Sequence, residues 1–323
     1  MRKEVLWAIV AGIVFGLIIA FGAWRINSTF KSNNAKLEPS PTSKSGQVSE
    51  FKISLNKPEN EDVVTDSTTR VSGITKALTW VTISGEDGDY IIQADEKGNF
   101  DEEVDLVAGV NQIKLTAFDP TGAQSIEKVL VVYSSSFEKK TTLPDAENSS
   151  DSGSIREKVQ AKVEELLNRP KAYLGVVTDI ADTTIQVRTS SSEIRQISVL
   201  DKDVVTVVKD DGKTTKTVKY ADIAIGDFIV AMGYKNGNQV LAAQRILITP
   251  IVTESTIDVK FGTKAEVLGQ TKPPTKTLIF SLSEGELSKV KLTDIEDGDL
   301  TISVTQEVSE KPVIRTIFTI PQS

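Results

Sequence analysis

Residues 218–228 read VKYADIAIGDF, and residues 290–300 read VKLTDIEDGDL. Each stretch contains Asp-Ile, then Gly-Asp, and then the first residue of an apolar strand, and the two lie 72 residues apart. Paired strands are predicted after both, ending at Ile248 and Ile320. Self-similarity at a fixed spacing is the sequence signature of a repeated structural unit. The chain is therefore predicted to end in two related β units.

A second internal similarity lies upstream of each stretch. Leu174-Gly175 corresponds to Phe261-Gly262, at an offset of 87 residues rather than 72. A complete duplication thus requires a second copy that is shorter by about 15 residues. The pattern of bend, Gly-Asp and strand resembles small bacterial β-barrels of the oligonucleotide/oligosaccharide-binding sort and allied domains of unknown function. The resemblance implies barrel-like units at residues 171–250 and 251–323.

The first of these units is predicted to contain seven strands. Hairpin turns are expected at residues 209–212 (KDDG) and 235–238 (KNGN), because Gly and Asn favour the backbone conformations of tight turns. The predicted strands are Tyr173–Thr178, Thr184–Thr189, Ile194–Val199, Asp203–Lys209, Lys213–Lys219, Phe228–Tyr234 and Val240–Ile248.

Residues 51–134 show short alternating runs that predict an antiparallel sandwich, because the strands recur at the spacing typical of that fold. The predicted strands are Phe51–Leu55, Thr69–Gly73, Trp80–Ser84, Asp89–Ala94, Asn99–Asp105, Gly109–Phe118 and Gln124–Tyr133. The predicted core consists of Trp80, Val81, Ile83, Phe100, Val104, Leu106, Ile113, Leu115 and Val131.

The second half of this region carries a resemblance. Gly98-Asn99-Phe100, Val104-Asp105-Leu106, Gly109-Val110-Asn111, Ile113–Ala117 and Asp119–Gly122 resemble the bacterial immunoglobulin-like repeats of envelope proteins, including the accessory domain of glucodextranase-like enzymes. The resemblance implies an immunoglobulin-like fold. Such modules serve as spacers, adhesive units and enzyme appendages alike. The glycosidase activity of that enzyme family belongs to a different domain, so no hydrolase activity is carried over.

The amino-terminal stretch Val5–Trp24 contains twenty residues without a charge. A helix of that length spans the hydrocarbon core of a bilayer, which predicts a membrane anchor over residues 1–25 and the lipid bilayer as a partner. Within it, Ala8, Gly12, Gly16 and Ala20 recur every four residues and predict a face for self-association. The alternative is a cleavable secretory signal, for which Ala20-Phe21-Gly22 offers a cleavage site.

Two polar segments are predicted to be linkers. Residues 26–50 predict a disordered stalk, and residues 135–153 predict a second linker. Between that linker and the first barrel-like unit, residues 154–170 predict an amphipathic helix. Ser154 and Glu157 form its capping box, and Pro170 ends it. The apolar stripe of this helix is expected to lie against the following sheet, and the alternative is a partner-binding or coiled-coil helix.

Composition excludes several classes of protein. The 323-residue chain contains neither Cys nor His, which excludes disulfides, thiolate metal sites and His-dependent catalytic triads and dyads. The net charge is −8, and the residues after position 25 carry −10. Such an acidic body argues against nucleic acid as a partner, because binding to phosphates requires a basic face. Neither a cofactor nor a catalytic residue is predicted.

Carboxylates supply the candidate metal site. The tetrapeptide Glu-Asp-Gly-Asp occurs at residues 86–89 and 296–299, so Asp87, Asp89, Asp297 and Asp299 are candidate Ca²⁺ ligands. Neither copy fits the twelve-residue calcium loop, and a solvated turn also explains both. A layout of separate modules along the chain is expected to offer no cleft.

The predicted fold is all-β with an amino-terminal transmembrane helix: an immunoglobulin-like sandwich, a short helix and duplicated small β-barrel-like units. The predicted function is that of a non-catalytic, single-pass membrane protein of the bacterial envelope, whose body lies outside the cytoplasm. It is expected to act as a binding or spacer module, in adhesion or in contact with the cell wall or a glycan. Alternatives are a glycan-binding accessory to a carbohydrate-active enzyme and a cytoplasm-facing membrane scaffold, the orientation that Lys31, Lys36 and Lys44 after the anchor favour. A weaker alternative is a binder of single-stranded nucleic acid.

Overall fold

Alternating apolar and polar residues form twenty strands in the computed structural model, which describes residues 51–119, 123–137, 168–212, 214–250, 256–269, 273–274, 276–283, 285–308 and 311–322. Residues 51–323 belong to one compact unit. The predicted anchor, stalk, second linker after residue 137 and helix up to residue 167 lie outside the described residues. Within the described ranges, no helix has the length and apolar character needed to cross a membrane.

Eight strands form the sandwich. They are β1 (Ser54–Lys57), β2 (Asp62–Val64), β3 (Thr68–Ile74), β4 (Trp80–Ser84), β5 (Asp89–Gln93), β6 (Asn99–Asp105), β7 (Gly109–Phe118) and β8 (Gln124–Tyr133). One sheet has the order β1-β3-β6, and the other has the order β2-β8-β7-β4-β5. The predicted strands from residue 69 to residue 133 are confirmed. The first strand begins at Ser54 rather than Phe51, and the short β2 was not predicted.

The core between the two sheets contains the predicted residues with one exception. Val81 and Ile83 point inward, and Phe100, Val104, Leu106, Ile113, Leu115 and Val131 are buried with them. Trp80 was wrongly placed in this core. It packs instead in a cluster with Phe118 and residues of the carboxy-terminal unit, because side chains alternate along a strand and Trp80 lies on the opposite face from Val81.

Seven strands form the first carboxy-terminal unit: β9 (Pro170–Ala181), β10 (Thr184–Arg188), β11 (Ile194–Ser198), β12 (Thr206–Asp210), β13 (Thr215–Val218), β14 (Phe228–Lys235) and β15 (Leu241–Thr249). Five of them close a ring in the order β9-β10-β11-β15-β14 and back to β9. The β11–β15 contact is parallel, and the other four are antiparallel. A closed ring leaves no free sheet edge, and its interior is filled by apolar side chains such as Tyr173, Ile197 and Leu241.

The second unit contains β16 (Ile257–Gly262), α1 (Lys264–Leu268), β17 (Leu278–Ser283), β18 (Glu286–Lys289), β19 (Leu300–Val308) and β20 (Lys311–Ile320). Its sheet order is β16-β19-β20-β17-β18, with β20 and β17 parallel. The first unit has the same series, β9-β14-β15-β12-β13. Among the described residues of the second copy, no counterpart of the β10–β11 hairpin is present, and α1 follows the first strand.

Strand register supports the duplication residue by residue. Gly175 pairs with Ile229 in the first copy, and Gly262 pairs with Thr301 in the second. Both copies also contain a bulge at the same place, where Gln244 of β15 and Arg315 of β20 are the extra residues. The shorter second copy predicted from the two offsets agrees with the described residues, in which α1 stands after the first strand where the first copy has the β10–β11 hairpin.

The repeated aspartates stabilise two consecutive bends in each copy. The side chain of Asp222 accepts a hydrogen bond from the backbone N–H of Lys219 (2.8 Å), and Asp294 accepts one from Lys291 (3.0 Å). At the Gly-Asp step, Asp227 accepts from Ala224 N (2.9 Å) and Asp299 accepts from Glu296 N (3.0 Å). Carboxylates that bond nearby backbone donors define tight turns. The spacing that the two motifs share is therefore explained by these bends.

Both copies pack on the outer face of the β2-β8-β7-β4-β5 sheet, and they use equivalent faces to do so. In the first copy, Val230 and Met232 of β14 pack with Val63 and Val132 of the sandwich. In the second copy, the corresponding strand β19 contributes Leu300, Ile302 and Val304, which pack with Ile91 and Phe118. Phe118 stacks on Phe261 with ring centroids 4.7 Å apart. The three modules thus share apolar cores, because β14 and β19 bury both faces.

Hydrogen bonds and ion pairs join the sandwich to the first copy. The short strand β2 pairs with β9, and the backbone N–H of Ala172 donates to the carbonyl of Glu61 (2.8 Å). Lys171 forms ion pairs with Asp62 (2.6 Å) and Glu59 (2.9 Å), and Arg169 also pairs with Glu59. The acidic loop before β2 is therefore held against basic residues of the barrel.

Candidate functional site

A cleft of about 290 Å³ opens where the three modules meet. Its floor is the outer face of the sandwich sheet, formed by Gln112, Lys114, Lys128 and Leu130. One wall comes from the first carboxy-terminal copy, and the opposite end is closed by Ile257 of the second. The predicted layout of separate modules without a cleft is therefore wrong. The reason is that apolar residues on the outer sheet face bring both copies onto the sandwich.

The register of β7 and β8 positions the floor. Ile113 and Val129 point into the sandwich core, so the residues that alternate with them point outward into the cleft. Gln112 lies opposite Leu130, and Lys114 lies directly opposite Lys128. Two cations thus share one face of the sheet at the base of the cleft.

Lys114 is the more enclosed of the two lysines. It is half-buried, and its Nζ donates a hydrogen bond to the carbonyl oxygen of Ile257. Burial lowers the pKa of Lys114, the carboxylate of Asp258 acts in the opposite direction, and the charge of Lys128 lowers it further. The floor therefore holds positive charge at a position where hydration is incomplete.

The wall of the first copy is fixed by an ionic and aromatic cluster. Arg195 forms ion pairs with Glu61 and with Glu193 (3.1 Å), and its guanidinium lies 4.9 Å from the ring centre of Tyr173. Lys235 lies 4.8 Å from the same ring. Although burial lowers the pKa of Arg195, the two carboxylates outweigh it, and the net pKa shift is upward. Arg195 is thus a charged, well-positioned part of the wall.

Hydroxyl groups line the rim of that wall. The turn between β10 and β11 carries Thr189, Ser190 and Ser191, and the hydroxyls of Thr189 and Ser191 lie 2.9 Å apart. The backbone N–H of Thr189 donates to the carbonyl of Glu193 (2.9 Å), which closes the turn. Below them, Phe228 and Leu174 add apolar surface.

The lining combines apolar side chains with amide, hydroxyl and cationic groups, as in sites that bind small polar molecules. The amide of Asn60 is committed to the fold, because its Oδ1 accepts from the backbone N–H of Leu130 (3.0 Å). Gln112, Ser190 and Ser191 line the cleft as well, together with the two lysines. This arrangement provides hydrogen bonds and positive charge.

The predicted calcium ligands lie elsewhere and have protein partners. The side chain of Asp89 is buried and bonds Arg315 and Thr316. Asp299 is buried and accepts from Glu296 N (3.0 Å) and from Thr319 Oγ1 (3.3 Å). Asp87 and Asp297 are exposed. Among the described residues, no group of three or more acidic side chains is arranged to hold a metal ion. Calcium binding by these four residues stays a prediction. The small-residue face at Ala8, Gly12, Gly16 and Ala20 lies outside the described residues.

The floor of the cleft was not predicted, although the sequence contains a signal for it. The two strands β7 and β8 follow each other in the sequence, and once Phe118 is opposite Gln124, counting back along both strands places Lys114 opposite Lys128. The walls had no such signal, because they depend on how the modules pack.

No protein family matches the chain, and no curated protein matches it. Among solved structures, a carbohydrate acetylesterase from Xanthomonas citri is 18% identical over 23% of this chain (TM-score 0.19), and the chain spans 17% of that protein. A Ca²⁺-stabilized adhesin of an ice-binding Antarctic bacterium is 14% identical, with 84% of this chain and 74% of that chain covered (TM-score 0.18). The SGBP-B protein of a Bacteroides ovatus mixed-linkage glucan utilization locus, solved with a mixed-linkage heptasaccharide, is 14% identical, with 89% and 69% covered (TM-score 0.20). At these TM-scores, none of the three supports a functional assignment to this chain.

Proposed function

We propose that this chain is a non-catalytic binding protein of the bacterial envelope. Its three-module body holds a saccharide in the cleft where the three modules meet. The observation that carries the proposal is the lining of that cleft. Amide and hydroxyl groups at Gln112, Ser190 and Ser191 are suited to the hydroxyls of a sugar, and Phe228 offers an apolar surface for its C–H groups. The volume of about 290 Å³ suits one or two sugar rings rather than a long chain.

A binding role is favoured over catalysis by the chemistry of the residues. The chain contains no His and no Cys, so the commonest general base and the thiolate nucleophile are missing from it. The hydroxyl of Ser191 is hydrogen-bonded to Thr189. In this role the protein contacts wall or glycan directly, or assists a carbohydrate-active enzyme as its binding accessory.

The location is part of the proposal. Residues 5–24 anchor the chain in the membrane, residues 26–50 lift the body from the surface, and the body lies outside the cytoplasm. Ala8, Gly12, Gly16 and Ala20 then offer a face through which two anchors associate.

The location is tested by protease accessibility of residues 26–50 and 138–153. We expect cleavage in cells whose envelope has been opened only to the outer face of the inner membrane. Cleavage that requires rupture of the inner membrane would place the body in the cytoplasm, and the scaffold alternative would replace the envelope role.

Saccharide binding is tested with the full chain in nanodiscs of zwitterionic lipid, by saturation-transfer NMR against fragments of wall polysaccharides. We expect signals from bound sugar protons and no conversion of the sugar. Gln112→Ala should weaken binding. Gln124→Ala is the matched control, because Gln124 lies on the same sheet face but outside the cleft. The proposal would be refuted if both variants lost the same amount of affinity for the sugar. It would also be refuted if the unaltered chain bound no sugar.

A further inference from the structure

A second groove, of about 600 Å³, lies on the first copy and shares no lining residue with the cleft where the three modules meet. It opens beside β15. On the edge of β15 that does not pair with β14, pairing with β11 ends at Ala242 and pairing with β12 begins at Arg245. The two residues between them lie in a gap of the sheet. The chain that connects β11 to β12 leaves the sheet at this gap and forms one wall of the groove, and Ser136 and Phe137, which follow β8, form another.

The loop wall carries large apolar side chains that are exposed to solvent. Leu200 is 83% exposed and Val204 is 75% exposed, and both line the groove. Phe137 adds an aromatic ring, which packs beside the ring of Tyr234 with centroids 6.1 Å apart. Exposed apolar side chains that gather at one groove indicate a surface that another molecule covers.

Arg245 supplies the cation of this groove. It is half-buried, and burial lowers its pKa. Within the part of the chain that the structure describes, no group forms a hydrogen bond or an ion pair with its guanidinium. Asp201 also lines the groove, but its Oδ1 accepts a hydrogen bond from the backbone N–H of Asp203 (2.9 Å). The donors of Arg245 are therefore free to bind an added acceptor.

The second copy shows what binds a guanidinium at this place in the repeat. Arg315 is the extra residue of the β20 bulge, and Arg245 follows the extra residue of the β15 bulge. Arg315 binds the buried carboxylate of Asp89, and Thr316 Oγ1 donates to the same carboxylate (2.6 Å). In the first copy, Thr206 of β12 lies directly opposite Arg245 and also lines the groove. The first copy thus offers a guanidinium and a threonine hydroxyl without a carboxylate between them.

We propose that this groove binds a peptide segment of a partner protein, in which an Asp or Glu side chain is flanked by apolar residues. Arg245 binds the carboxylate with its planar fork of donors, which matches the two carboxylate oxygens. Thr206 donates to the same group, and Leu200 and Val204 contact the apolar neighbours. An Arg among apolar side chains is typical of the centre of a protein–protein interface. A second copy of this chain is a poorer occupant, because each copy carries a net charge of −8.

The test uses the full chain in nanodiscs of zwitterionic lipid and two fluorescently labelled, capped peptides. The first peptide has one Glu between two pairs of Leu residues, with Ser at both ends, and the second has Gln in place of Glu. Fluorescence anisotropy measures the affinity of each peptide. We expect the Glu peptide to bind at least about tenfold more tightly than the Gln peptide, because only a carboxylate balances the charge of Arg245.

Variants assign the parts of the site. Arg245→Met should make the two peptides bind equally, and Arg245→Lys should keep part of the preference, since Lys retains the charge but not the fork. Leu200→Ser should weaken both peptides by a similar factor and leave their ratio unchanged. Arg188→Met is the matched control, because Arg188 is exposed on the same barrel outside the groove. It should change neither affinity.

The unfolding temperature without peptide separates a binding role from a structural one. Arg245→Met should unfold at the same or a higher temperature than the unaltered chain, because it removes a half-buried charge that no carboxylate balances. A lower unfolding temperature would show that Arg245 stabilises the barrel, and its assignment as a binding group would be wrong.

Three other results would overturn the proposal. They are equal affinity of the unaltered chain for the two peptides, binding of neither peptide, and pairing of nanodiscs in mass photometry that Arg245→Met abolishes. The last result would show that a second copy of the chain occupies the groove. None of them bears on saccharide binding, because the two sites have no residue in common.

Discussion

The carboxylate of Asp89 on β5 lies 2.5 Å from Nη2 of Arg315 on β20, although 226 residues separate the two in sequence. Arg315 is the extra residue of the β20 bulge, and bulges redirect side chains out of the regular alternation. Its Nη2 also donates to the carbonyl of Gly85 (2.7 Å), and Thr316 Oγ1 donates to Asp89 (2.6 Å). The second copy is thereby fastened to the edge of the sandwich.

Loss of this ion pair should strongly destabilise the body. The side chain of Asp89 is 1% exposed and that of Arg315 is 19% exposed. Arg315→Met should lower the free energy of unfolding by about 3–5 kcal/mol, because it leaves a buried carboxylate without its cation. Urea unfolding monitored by tryptophan fluorescence measures the change.

A surface ion pair provides the control for that experiment. Arg70 pairs with Asp101 at the same distance of 2.5 Å, but its side chain is 71% exposed. Arg70→Met should change the free energy of unfolding far less than Arg315→Met does, because water screens an exposed ion pair. If both variants lost the same small amount, the Asp89–Arg315 pair would have no special role in docking the second copy.

Two glycines of the first copy should differ in their tolerance of alanine. A Cβ atom at Gly175 of β9 would lie 2.3 Å from the carbonyl oxygen of Arg188, whereas one at Gly237 would meet nothing within 4 Å. Gly175→Ala should therefore destabilise the chain by about 1–3 kcal/mol through backbone displacement. Gly237→Ala should be close to neutral. Thermal unfolding of both variants measures the difference. An unchanged unfolding temperature for Gly175→Ala would mean that β9 and β10 are less closely paired.

Two buried threonines allow the energetic cost of burying a hydroxyl group to be compared with and without a hydrogen-bond partner. Thr79 and Thr116 are each 1% exposed. Thr79 Oγ1 donates to the carbonyl of Lys76 (2.7 Å), whereas Thr116 Oγ1 is buried without a hydrogen-bond partner. Thr79→Val should cost about 1 kcal/mol or more, and Thr116→Val should be neutral or stabilising. The comparison uses denaturant unfolding, and a destabilising Thr116→Val would indicate an ordered water on that hydroxyl.

Tyr90 should make stability depend on pH in the alkaline range. Its hydroxyl donates to Asp105 Oδ2 (2.9 Å) and accepts from the backbone N–H of Asp105 (2.9 Å). Burial is the largest cause that raises the pKa of Tyr90 to about 12. Because this value exceeds the pKa of about 10 in an unfolded chain, the stabilisation is complete below about pH 10 and is lost as the pH rises towards 12.

The measurement is a tyrosinate absorbance titration of the unaltered chain and of Tyr90→Phe. The difference between the two curves should show one tyrosine that ionises near pH 12. Tyr90→Phe should also flatten the loss of stability between about pH 10 and pH 12. A difference curve centred near pH 10 would contradict the raised pKa.

Much of the local structure could be predicted because its causes are local. Strand alternation and turn residues located most strands of the sandwich and of the first copy, since both signals act within a few residues. The helix α1 was missed even though Thr263 and Glu266 form a capping box that marks its start. The strand β2 was missed because three residues are too few to show a period.

The sequence by itself determined the all-β architecture, the duplication with a shortened second copy, and the bends built on Asp222 and Asp294. Each of these follows from neighbouring residues or from an internal repeat. Only the tertiary structure decided that Trp80 packs against the second copy, that Arg315 reaches Asp89, and that Lys114 and Lys128 form the floor of a cleft. These depend on which faces of distant strands become buried together, and that choice is set by the packing of all three modules rather than by any one segment.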